Sequence, residues 1–89
     1  MTQTNQTQAP QIGAEQIALL ERLTNAVAVS GDEAEVRAIV LESIREVADD
    51  VRVDALGSVL AVRKAESESP VRVMIAAHMD EVGFMLVDD

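Results

Sequence analysis

Apolar residues recur along this chain with two different periods, and the change of period divides it. From Ala14 to about Val27, the residues Ile17, Leu20, Leu23 and Val27 fall three or four apart, with Ala18 and Leu19 widening the stripe. That spacing predicts an amphipathic helix packed by one face. A second helix is predicted to start at Ser30-Gly31-Asp32-Glu33, where Ser30 and Glu33 stand at the spacing of a capping box and acids fill the first turn. Its apolar face is Val36, Ile39, Val40, Ile44 and Val47; Arg37, Glu42, Arg45 and Glu46 solvate the other. Asp49-Asp50 ends it poorly, because two acids sit near the negative end of the helix dipole, so fraying is expected there.

The period then shifts to two. Val51-Arg52-Val53-Asp54 alternates, Leu56-Gly57-Ser58 interrupts, and Val59 to Arg63 is rich in strand formers. This predicts a hairpin with Gly57 at a positive φ angle. Lys64 to Pro70 is a polar loop. Val71 to Ala77 begins in alternation and ends as an unbroken apolar run, as expected of a central strand buried on both faces. His78-Met79-Asp80-Glu81 stands at its C-terminal end, where open α/β sheets bind ligands. Gly83 to Val87 starts another apolar strand.

Residues 1–13 carry a polar Thr/Gln/Asn tract, expected to form a disordered tail ahead of a folded unit over residues 14–89. The expected fold class is α/β: the start of an α/β/α sandwich built from two helices, a β-hairpin and a central buried strand. It is expected to be incomplete, because the last apolar strand has no partner to close a core.

Composition narrows the function classes. The chain has 89 residues, a formal net charge of −9 and 48% apolar residues, a globular composition sufficient for one small domain. The acidic balance argues against nucleic acid or an anionic membrane as partner, since both require clustered cations. There is no Cys, hence no disulfide framework and no thiolate metal site. No apolar run is long enough for a membrane span, and no secretory signal is apparent, which makes the cytoplasm the expected location. Phe84 is the sole aromatic residue, which weighs against a sugar-stacking or base-stacking surface.

The candidate chemistry centres on His78, the sole histidine, with Asp80 two positions on. On an extended backbone the two side chains share a face. A neutral imidazole binds a divalent ion, and a neighbouring carboxylate can orient that ring. Taken alone, His-x-Asp fits equally a polar turn after a strand, with His78 hydrogen-bonded and Asp80 solvated. Glu81 would point away from His78, Glu33 fits a capping role, and Met74, Met79 and Met85 fit packing.

The stretch Val73 to Met85, with its string His78-Met79-Asp80-Glu81-Val82-Gly83-Phe84-Met85, closely resembles the segment carrying the first metal ligand in the tetrahedral aminopeptidases. These form metallopeptidase family forty-two, which includes glutamyl and deblocking aminopeptidases and proteins labelled cellulase M. Leu19-Leu20-Glu21-Arg22-Leu23-Thr24 resembles the family's first helix. Ser30-Gly31, Glu33 and Val36-Arg37 resemble its turn and second helix, and Val53-Asp54-Ala55-Leu56-Gly57 its hairpin. The likeness covers roughly residues 15–89. Ala28 and Ser58 depart from the family's usual Gly and Asn, both at turns.

The resemblance implies a two-metal hydrolase of zinc or cobalt that removes N-terminal residues from peptides and assembles into a large homo-oligomer. It implies His78 as a metal ligand and Asp80 as the active-site carboxylate that holds the imidazole. The family's bridging Asp, general-base Glu and other ligands have no counterpart in these 89 residues. The chain is therefore expected to be a fragment, inactive by itself for lack of ligands and base. The alternative is a non-catalytic interaction or regulatory module that buries Val82 to Val87 against a partner. A carbohydrate hydrolase receives little support, since no pair of carboxylates flanks an aromatic-lined cleft.

Overall fold

The computed structural model describes residues 9–88, so most of the tail expected over residues 1–13 lies outside the described residues. Two helices are followed by two strands: α1 (Ala14–Asn25), α2 (Ala34–Ile44), β1 (Asp50–Val53) and β2 (Val59–Val62). The α/β class and the order helix, helix, hairpin are those read from the sequence.

Helix α1 starts where the Gln16 side chain accepts a hydrogen bond from the Gly13 amide at 2.8 Å, with Glu15 in the favourable first turn. It ends two residues earlier than the apolar period implied, where Ala26 turns extended at φ −73°, ψ 147°. The packed face also differs. Leu19 and Leu23 pack against the core, while Ile17, Leu20 and Val27 are more than half exposed. The four-residue row Leu19–Leu23 continues into Ala26, and this row meets Val36 and Ile39 of α2. A salt bridge from Arg22 to Glu42 (2.6 Å) links the two helices on their solvent side.

The second helix starts at Ala34, not directly after Ser30. Gly31, at φ 89°, closes a turn in which the Asp32 amide donates to the Val29 carbonyl at 2.7 Å, and this displaces the helix start by three residues. The expected Ser30–Glu33 box is therefore replaced. Glu33 sits at the N-cap position and its carboxylate accepts from the Gly31 amide at 3.0 Å. Glu35 reaches back to the Val27 amide at 3.1 Å. The helix also ends early, at Ile44, so Asp49-Asp50 does not fray a helix end; Asp50 opens β1 and the Asp49 carboxylate accepts from the Lys64 amide at 2.6 Å.

The hairpin pairs antiparallel in the register Asp50 with Val62, Val51 with Ala61, Arg52 with Leu60 and Val53 with Val59. Its loop is organised by Asp54, whose Oδ1 accepts from the amides of Leu56 (3.0 Å) and Ser58 (2.8 Å), an Asx arrangement. Gly57 takes φ 91°, as the loop requires.

The core is small: Ala26, Ala28, Val36 and Ile39 are buried, with Leu19, Leu23 and Met79 packed against them. The buried central strand expected over Val71–Ala77 is not formed among the described residues. This segment joins no ladder, and Ile75 is 92% exposed. A strand buried on both faces needs neighbouring strands and covering layers, and the described sheet has two strands that pair with each other. Gly83 to Val87 likewise joins no ladder.

Candidate metal-ligand site

The chain returns to the core just beyond His78. Met79 packs against the buried cluster, and the Glu81 amide donates to the Ala28 carbonyl at 2.7 Å in a parallel bridge between Glu81 and Val29. This seats His78, Met79, Asp80 and Glu81 along a groove of about 870 Å³ whose walls include Val36 and Val40 of α2 and Leu56 and Val59 of the hairpin. Residues 78–81 thus gain a fixed place although the run before them is exposed.

His78 Nδ1 lies 3.0 Å from Asp80 Oδ1 and 3.0 Å from the Asp80 carbonyl oxygen. Neither oxygen carries a hydrogen when the carboxylate is ionised, so Nδ1 is the protonated nitrogen and donates to both. In the neutral ring the remaining nitrogen, Nε2, holds the lone pair. The His78 side chain is 85% exposed, so that lone pair is open to a ligand from outside the chain. The arrangement is that of an imidazole oriented by a neighbouring carboxylate.

The structure brings His78 and Asp80 together as their spacing implied. Glu81 is held by its backbone. Glu33 stands at the N-cap position of α2, where its carboxylate holds the Gly31 amide rather than a helix amide, and it also lines the groove. Sequence reasoning missed Arg37, placed there on the solvated face. Its Nε donates to the Gly57 carbonyl at 2.8 Å, and its guanidinium lies 4.0 Å from Glu33. The sign available in the sequence was an Arg four residues after a capping Glu. Among the described residues, no three His, Cys, Asp or Glu side chains are grouped so as to hold a metal ion. The donors present fit one ligand position and do not by themselves make a metal site. No helix among the described residues is long and apolar enough to cross a membrane.

The described residues thus present an α/β segment with a carboxylate-oriented histidine beside its core. Comparison with known proteins is specific. Residues 57–88 match the family described as M42 glutamyl aminopeptidase. A protein of Acetivibrio thermocellus whose name assigns it as an aminopeptidase is 44% identical over 73 residues, covering 80% of this chain and 21% of its own length. The lysyl aminopeptidase of Pyrococcus furiosus is 39% identical over 69 residues (76% of this chain, 19% of its own). The glutamyl aminopeptidase of Lactococcus lactis subsp. cremoris is 37% identical over 67 residues (75% and 19%). Over most of its length the chain is thus similar to one part of the aminopeptidases of this family. It spans about a fifth of the length of the curated relatives it matches. No solved structure gives a significant match to the chain.

Proposed function

We propose that residues 14–89 are the opening part of a metalloaminopeptidase catalytic domain, in which His78 supplies one ligand to a divalent metal and Asp80 positions it. The observation that carries this reading is the double contact of His78 Nδ1 with Asp80, which favours a neutral ring protonated at Nδ1 and supports Nε2 as the ligating atom. The family name supports aminopeptidase chemistry; peptides as substrates and zinc or cobalt as the ions belong to the proposal. The ions would supply Lewis-acid chemistry at the scissile amide. This chain's own contribution is one oriented imidazole, and no step of the reaction follows from it alone. The chain by itself is therefore inactive. A cytoplasmic location and assembly of the whole protein into a large homo-oligomer complete the proposal.

The test uses the gene product at the length of its relatives. Its His78→Ala variant should lose bound metal and release of N-terminal residues from short peptides, whereas the 89-residue chain should show neither. Full metal content and activity in the variant would overturn the ligand assignment.

A second reading, a non-catalytic interaction module, draws on the exposure of Val82 (97%) and its apolar neighbours Phe84, Leu86 and Val87. It predicts that the natural 89-residue product binds a partner stoichiometrically through Val82–Val87.

A further inference from the structure

We propose that the connection between the two helices, residues 26–32, is the platform that positions His78, with Ala28, Val29 and Gly83 as positioning residues. The inference rests on the reading of His78 as a metal ligand for its functional meaning.

Three contacts hold the His78 segment to this platform. Met79 packs against the cluster that contains Ala26 and Ala28. The Glu81 amide donates to the Ala28 carbonyl at 2.7 Å. Gly83 passes so close to Val29 that a Cβ there would lie 2.6 Å from Val29 Cγ2, nearer than real Cβ atoms come. The platform is itself held: the Asp32 amide bonds the Val29 carbonyl, Glu35 accepts from the Val27 amide, and Ala26 and Ala28 are buried.

These contacts matter because of what they flank. The pair His78–Asp80 spans two residues and fixes the ring relative to its own backbone. It does not fix where that backbone lies. The direction of Nε2 relative to the rest of the fold is set by the anchors at Met79, Glu81 and Gly83, and all three rest on residues 26–29 or on the core beside them. The Gly of the string from His78 to Met85 thus has a physical cause: only a residue without a side chain lets the backbone pass so close to Val29.

The experiment compares the full chain with its Gly83→Ala, Val29→Ala and double variants. Nitrogen-15 shifts of the His78 ring, recorded above the ordinary histidine range of about 6.5, report the tautomer. Hydrogen exchange of the Glu81 amide reports the clasp. Gly83→Ala should lower Glu81 protection by about tenfold or more and shift the backbone amide signals of residues 78–80, while the His78 tautomer, set locally by Asp80, and the protection of the cross-strand amides of β1 and β2 stay unchanged. Adding Val29→Ala removes Cγ2 and should restore both signals. Unchanged Glu81 protection and amide signals in Gly83→Ala, no restoration in the double variant, or loss of hairpin protection in parallel would overturn the positioning role. The ligand reading fails separately: the clasp and the amides of residues 78–80 would respond as expected while His78→Ala in the longer gene product kept its metal.

Discussion

Arg37 and Gly57, twenty positions apart, are joined by a 2.8 Å hydrogen bond from the guanidinium Nε to the Gly57 carbonyl, which fastens α2 to the tip of the hairpin. The Arg37 side chain is mostly buried in this contact. A Cβ on Gly57 would lie 2.6 Å from Arg37 Nη2, and φ 91° disfavours any side chain there. Gly57→Ala should therefore cost about 1–2 kcal/mol, chiefly from the left-handed backbone, with a further part from displacing the flexible end of Arg37. Urea denaturation followed by circular dichroism measures it, and a midpoint equal to that of the parent chain would refute the clamp.

The core is thin, so single truncations in it should be severe. Ile39 is one of four buried apolar residues among those described. Ile39→Ala removes about 2–5 kcal/mol, comparable with the ~3–5 kcal/mol that a core of this size supplies. We expect the variant to show no cooperative thermal transition. A preserved transition would mean that stability resides outside the described cluster.

Removing the carboxylate that orients the imidazole should change the ring before it changes the fold. Asp80→Ala deletes one of the two acceptors at Nδ1 and leaves the carbonyl of residue 80. Nitrogen-15 spectra should show the His78 tautomer becoming mixed while the hairpin amides are unmoved. In the longer gene product, metal affinity should fall by about 10–100-fold. Equal affinity in Asp80→Ala and the parent protein would count against the orienting role.

The apolar run from Val82 to Val87 is exposed and joins no ladder. Such a segment is a template for association with another chain. The 89-residue chain should sediment as a mixture of monomer and larger species that shifts with concentration. Phe84→Asp should move it toward monomer without altering helix or hairpin signals. A strictly monomeric parent chain at all concentrations tested would sink this expectation.

Both helices and the hairpin were legible because each is dictated locally: an apolar period near 3.6, an alternation broken by Gly57, and an Asp54 able to organise a loop. What escaped was set by tertiary packing. Whether Leu19–Leu23 or Ile17–Leu20 faces inward depends on where α2 lies, and small residues at 26 and 28 decide that. The helix start moved from Ser30 to Ala34 because the Val29–Asp32 turn intervenes. Val71–Ala77 reads as a central strand because its composition is suited to one, but composition supplies no neighbours. In the site, the His78–Asp80 pair was visible from spacing. The Ala28–Glu81 bond was not, because it is made by backbone atoms and leaves no signature in side-chain types.

That bond also sets an order of events. Ala28 and Glu81 lie about 50 positions apart, so closing the loop between them carries an entropic cost that the helices and hairpin, made of near neighbours, do not bear. During synthesis on the ribosome, the helices and hairpin can form while the His78 segment is still within the exit tunnel. The clasp can close only after residue 83 has emerged. The histidine would be the last part of this unit to reach its place on the way in, and the first to leave it on the way out.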